Sequence, residues 1–358
     1  MSASIDTSSV WDWLQTNAVS LNSDNQLASH VLPQLGAAGL FRIGVPESHG
    51  GYGGTAFHAV QAIARVAEHS LTAAFVFWSQ RVFIEYLLQA DNQLLREQHL
   101  PGLLAGTLAG ATGLSNAMKF LSGIEGLQIT AQPNDAGLKL DGKLPWVTNL
   151  NPNGFLVAAA VSRTSDEQPM IVVLNSTDEG VLRSADLELS GMNGSNTAAI
   201  DLSGVQISEQ CVLDDNALSF CPAVRPEFLA FQCGLSLGLS KASLEATRKR
   251  IEHSPVWHLL SPRLQSLLQQ LRSAELALEQ GLQDKSFITD PVALFEIRIQ
   301  LAAVVQQSIA LELEASGGGA YLQQYNQHFY RRLLESVFVP VLTPSLLQLQ
   351  SAVQDSRS

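Results

Sequence analysis

The stretch from Asp141 to Asn149, DGKLPWVTN, sets a large indole beside a hydroxyl and an amide. Such a set can hold a planar ring system, the indole stacking on one face while small polar groups bond the edge atoms. The alternative is a buried core tryptophan. Gly142 and Pro145 are poor helix formers, whereas Trp146, Val147 and Thr148 favour extended chain, so a hairpin running into a strand end is expected here.

Other stretches carry chemistry less directly. Gly234 to Gly238 spells GxSxG, the hydrolase nucleophile elbow, but that motif needs a strand before its serine, and this one sits inside a helical run. Close helix packing is the expectation. Arg248, Lys249 and Arg250 form the one dense basic run, either a solvated helix end or a clamp for a phosphate-bearing ligand. In Ser316 to Gly319, three successive glycines exceed what a helix cap needs and favour a close approach of backbone to a ligand. Gly50, Gly51, Gly53 and Gly54 match neither GxGxxG nor GxxxxGK, so a packing turn is expected there. The histidines lack metal-ligand spacing, with His253 and His258 expected near a helix end, and no metal site is predicted.

The elements that must position these residues come in three blocks. Apolar spacing predicts helices from about residue 8 to 104: one begins with Trp11 and Leu14, one ends near Gly39, a long interrupted one runs over 55–89, and a short one is closed by Pro101 and Gly102. From about 105 to 214 the runs LQIT, LKL, FLVAAAV, MIVVL and AAIDLSGVQI, separated by Gly, Asn, Asp and Ser, predict an antiparallel β domain. Helical periodicity then returns to the end, which predicts a bundle. The chain is therefore α+β, with an N-terminal helical domain at 1–105, a middle β domain at 106–215 and a C-terminal helical bundle at 216–358.

Composition sets the outer limits. At 46% hydrophobic and 15% charged, the 358-residue chain has few charges for a monomer's surface and predicts an oligomer. A formal net charge of −12 argues against a nucleic-acid partner. Three cysteines without CxxC spacing fit a reducing cytoplasm, and no leader pattern or apolar run of membrane length is expected.

Taken together, these pieces resemble the acyl-CoA dehydrogenase superfamily of FAD-containing proteins, which have a helical domain, a β domain and a four-helix bundle. LGAAGLFRIGVPESHGGYGG resembles the family's N-terminal segment, PWVTN its WITN, and LELSGMNGSNTAAIDLSGVQISEQCVL the end of its β domain. The resemblance implies that Trp146 and Thr148 pack against and bond an isoalloxazine ring, with Thr112 of ATGLSNA nearby. It further implies that Arg250, Gly317 and Gly318 reach the FAD of a neighbouring subunit and that Arg225 serves a small-molecule substrate, an acyl-CoA in the family.

The departures are chemical. The family removes a substrate proton with a carboxylate, usually the Glu of a YEGT-like motif, while the flavin takes a hydride. Leu342, Thr343, Pro344 and Ser345 stand there, and a threonine hydroxyl is no base near neutral pH. The other family position is Val224, and Glu227 on a helix should point elsewhere than Arg225. The RxxF element reads Arg250, Ile251, Glu252, His253, and Glu314 replaces the glutamine before the paired glycines, where it would repel a pyrophosphate unless another group intervened. Three accounts follow: an FAD-dependent oxidoreductase acting on CH–CH groups with its base elsewhere, a flavin-dependent monooxygenase of the same fold, or a non-catalytic partner in a hetero-oligomer whose homologous chain supplies the base.

Overall fold

A computed structural model describes residues 8–121, 125–135, 137–163, 168–252, 254–322 and 326–357. His253 lies outside the described residues. Five α-helices come first: α1 Ser8–Ser23, α2 Ala28–Ala37, α3 Ala56–His69, α4 Leu71–Gln89 and α5 Gln93–Ala105. The expected interruption within 55–89 is Ser70, whose side chain accepts the Ala73 amide and so starts α4. Buried nearly all round, α4 is the central rod of this part. The closure expected at Pro101 and Gly102 comes later, because α5 runs through both and stops at Gly106 in the left-handed region. The buried side chains of Leu103 and Leu104 hold its last turn.

The middle of the chain is a mixed sheet of eight strands: β1 Ala109–Thr112, β2 Ile129–Asn134, β3 Gly137–Val147, β4 Phe155–Arg163, β5 Met170–Asn175, β6 Val181–Asp186, β7 Ala198–Ile207 and β8 Val212–Asp214. A short helix, α6 Ser115–Leu121, follows β1. Strand order is β6-β7-β3-β2-β4-β5-β8, with β1 added on β4. Pairing is antiparallel except that β4 runs parallel to both β1 and β2. The expected hairpin is displaced: β2 and β3 meet with Asn134 opposite Gly137, and Asp141 to Val147 is strand. What Gly142 and Pro145 contribute are irregularities, since the β3–β7 register shifts between Leu140 and Gly142 and again between Leu144 and Val147. The second shift re-aims the side chains just where Trp146 stands.

The remaining helices are α7 Ala217–Ile251, α8 Trp257–Gln283, α9 Ser286–Thr289, α10 Pro291–Ser316, α11 Gln327–Phe338 and α12 Leu346–Asp355. At 35 residues, α7 packs on α3 on one side and α10 on the other. Its GxSxG is the packing device expected: a Cβ on Gly238 would sit 2.1 Å from the Ala64 carbonyl oxygen, and one on Gly234 would sit 2.8 Å from that of Val60. Ser236 between them is buried in the helix, remote from any strand-to-helix turn. The segment Pro291–Tyr321 is long and apolar enough to cross a membrane by length and composition alone; here 56% of its apolar 18-residue stretch is buried inside the chain, as in a core helix.

Candidate active site

A cavity of about 900 Å³ opens between the sheet and the C-terminal helices. The end of β3 supplies Leu144, Pro145 and Trp146, with Thr148 just beyond; β1 supplies Thr112. Phe75 and Trp78 of α4 close the back, and α11 with the chain after it adds Val337, Phe338 and Thr343. Trp146 is 64% exposed, which rules out the buried-core alternative and leaves its indole available to the cavity. Phe75, Phe77, Trp78, Phe83 and Tyr86 of α4 are all buried, yet Phe75 and Trp78 double as cavity wall.

Hydroxyls supply much of the polar wall. Thr148 Oγ1 lies 2.9 Å from Thr197 Oγ1, which in turn lies 2.7 Å from Ser195 Oγ. Thr112 Oγ1 lies 2.8 Å from the Tyr86 hydroxyl. Asn149 faces away: it takes a left-handed conformation at φ 67°, is fully buried, and donates through Nδ2 to Gln80 and to the Gly110 carbonyl. The amide expected to bond a ligand edge is instead the peg that ends β3.

The turn carrying Ser195 and Thr197 is held in a costly shape. Met192 and Asn196 both have positive φ, 61° and 50°, unusual for residues with a Cβ. Asn22 of α1 accepts the Met192 amide at 2.9 Å, and Asn196 donates to the Ala28 carbonyl. These ties fix the turn, so that Thr197 meets Thr148 and Ser195 meets Thr197.

Charge is scarce. Among the described lining residues the ionisable side chains are Lys119 and Glu125, which pair with each other at 3.4 Å. Thr343 lines the cavity, and its carbonyl accepts from Gln232 at 2.8 Å. Behind Gln232 lies Arg298, fully buried, bonded to Gln232 and to the Val339 carbonyl. Arg298 thus anchors, at one remove, the loop that carries Thr343.

The other expected site residues lie outside this lining. Arg225 stacks its guanidinium over Phe295 at 5.6 Å, and burial lowers its pKa. Arg250 is exposed in the last turn of α7 and donates to Asn326 at 3.3 Å. Its neighbours Arg248 and Lys249 pair with Glu245, which favours the solvated-helix-end reading for those two. Gly317 and Gly318 follow α10 with open space around them, and Gly317 needs its glycine at φ 57°. Glu314 is neutralised by Arg263, which donates at 3.0 Å and holds the carboxyl below its ordinary pKa, so an intervening cation is present. Val224 is fully buried. Glu227 lies outside the cavity lining, accepts from Gln89 at 3.2 Å, and has its pKa pushed up to about 7 by burial and by Glu85.

Residues 12–107 match the family model described as the acyl-CoA dehydrogenase N-terminal domain. The chain is 22% identical over 335 residues, 86% of its length and 85% of the relative's, to a probable acyl-CoA dehydrogenase of Bacillus subtilis. Over 98% of its length it superposes on 95% of butyryl-CoA dehydrogenase from Megasphaera elsdenii with a TM-score of 0.83 at 16% identity. The fold is that of the acyl-CoA dehydrogenase superfamily. Within that fold the chemistry varies: dibenzothiophene monooxygenase from Paenibacillus sp. A11-2 also matches, with a TM-score of 0.76 at 15% identity over 98% of this chain and 95% of its own.

Against the acyl-CoA dehydrogenase fold, sequence reasoning missed Ser195, Thr197 and Tyr86. The only signal for the first two was the pair of hydroxyls in GSNTAAI just ahead of a strand; the left-handed Asn196 that sets them in line has no mark in the sequence. Nothing local singles out Tyr86, whose hydroxyl meets Thr112 only through the packing of α4 on β1.

Proposed function

We propose that the chain binds FAD with its isoalloxazine ring in this cavity and acts as an oxidoreductase on an uncharged small molecule. The observation that carries the reading is the convergence of an exposed indole at Trp146 with the hydroxyls of Thr148 and Thr112 on one cavity wall. These groups fit a flat ring with polar edge atoms, and about 900 Å³ accommodates that ring together with a substrate group. When bound, the flavin supplies the hydride and electron chemistry. The chain's own residues stack, bond the ring edge, and exclude water with Phe75, Trp78 and Phe338.

The absence of a free carboxylate among the described lining residues favours a second, more specific reading. With Glu125 committed to Lys119 and Thr343 unable to take a proton near neutral pH, removal of a substrate α-proton finds no base among the described lining residues. Flavin-dependent monooxygenation needs none. The low charge and the exposed lip of Trp146, Val337, Val341 and Leu347 are consistent with an oligomer.

The decisive experiment is the visible spectrum of the purified protein, with the released cofactor identified after denaturation. Stoichiometric FAD is expected. Oxygen uptake with supplied reduced flavin, set against bleaching by acyl-CoA, then separates the two chemistries. Failure to retain or bind FAD or FMN would overturn the proposal.

A further inference from the structure

Two fully buried hydroxyls stand behind the cavity wall without lining it: Ser195 and Tyr86, both 0% exposed. Each has a single side-chain partner among the described residues, Thr197 for Ser195 and Thr112 for Tyr86. A hydroxyl carries one proton to donate and can accept twice. A buried hydroxyl left without an acceptor loses free energy, so each buried proton goes to its one partner. Ser195 therefore donates to Thr197. Thr197, having accepted, donates to Thr148, which lies 2.9 Å on. Thr148 is left with a proton and no protein acceptor for it among the described residues. The same holds at the other end. Burial lifts the Tyr86 pKa well above its ordinary value, so this phenol stays protonated and donates to Thr112, which also accepts from the Leu114 amide at 3.4 Å. The Thr112 proton is then free as well.

We propose that Ser195 and Tyr86 are positioning residues that direct the Thr148 and Thr112 hydroxyls to donate into the cavity, making its wall a two-donor site for the acceptor atoms along one edge of a planar ligand. This inference rests on the proposed flavin reading and deepens it. The strained turn at Met192 and Asn196, tied to α1 and α2, is the structural outlay that sets Ser195 and Thr197 in line with Thr148. Donors fixed where negative charge gathers favour the electron-rich form of whatever they bond. A flavin held here should therefore be easier to reduce than one facing a wall whose donors can turn away.

The test uses Ser195→Ala and Tyr86→Phe, because neither residue lines the cavity and any effect on a ligand must pass through the threonines. FAD affinity is measured by absorbance titration and the reduction potential of bound FAD by dye equilibration. Each variant should weaken FAD about three- to tenfold and shift the potential downward. In a Thr148→Val background, Ser195→Ala should have no further effect, and Thr148→Ser, which keeps the donor, should behave as the parent does. Unchanged affinity and potential in both variants would overturn the relay, as would an equal effect of Ser195→Ala with and without Thr148. Unfolding of the apoprotein supplies a readout free of flavin: Thr197→Val should cost more stability when Ser195 is present than in Ser195→Ala, since only then is a buried donor stranded. A parent chain that binds no flavin but gives this coupling would sink the proposed function and leave the hydroxyl order intact; no coupling would sink the relay itself.

Discussion

On one side of α11, Arg331 pairs with Glu335 and Arg332 with Glu312, four ionisable side chains that are all buried. On the other side Leu334, Val337 and Phe338 of the same helix line a cavity whose described ionisable groups are one mutually paired lysine and glutamate. The two regions bury polar atoms by opposite means. The helical interior holds whole charges in close pairs, and Glu335 additionally accepts the Leu71 amide at the start of α4. The cavity wall holds neutral hydroxyls in chains. Charge pairs fix a scaffold, because separating them strands an ion in a poor solvent. Neutral donors leave the cavity free to polarise a ligand without competing for its protons. A carboxylate at Thr343 would have joined the two designs, and this chain lacks it.

The contrast can be broken first where it is strongest. Glu335→Ala leaves Arg331 buried without its partner and the first amide of α4 without its acceptor, and should cost about 3–5 kcal/mol, read by denaturant unfolding. A loss below 1 kcal/mol would mean that the pair contributes little to the scaffold. Between the two regions in size of effect lies Glu227, which faces Glu85, Gln89 and Arg81 across the α4–α7 contact. Its pKa in the folded state, about 7, lies above the ordinary carboxylate value because burial and then Glu85 disfavour its charge. The folded state therefore holds the proton more tightly than the unfolded one, and stability falls as pH rises from about 4.5 to 7. Glu227→Gln should be nearly neutral at pH 5 and stabilising by roughly 1–3 kcal/mol at pH 8; thermal unfolding at the two pH values checks the sign. The smallest effect on stability belongs to the cavity. Trp146→Ala removes a mostly exposed indole and should change stability by less than about 0.5 kcal/mol, while weakening FAD about tenfold by titration. A large loss of stability there would make Trp146 scaffold after all.

Periodicity made the order of helices, strands and helices legible, since core faces repeat along the chain. PWVTN was legible through its likeness to WITN rather than by itself, since an isolated tryptophan at a strand end is more often core, and the structure brings Trp146, Thr148, Thr112 and Thr343 to one cavity. The turn was misread for a local reason: Gly142 and Pro145 break helices, but in a strand they serve as bulges, and composition does not separate a bulge from a turn. Tyr86 and Gln232 were not legible, because their partners lie 26 and 111 residues away and only packing joins them. Arg225, Arg250, Gly317 and Gly318 carry a resemblance whose geometry lies outside the single-chain cavity.

The bond from the Met192 amide to Asn22 spans 170 residues of chain. A turn that costs energy in isolation cannot wait, preformed, for the helix that holds it. The placement of the hydroxyls between β6 and β7 therefore depends on a helix from the far end of the chain: whatever loosens α1 loosens this wall as well.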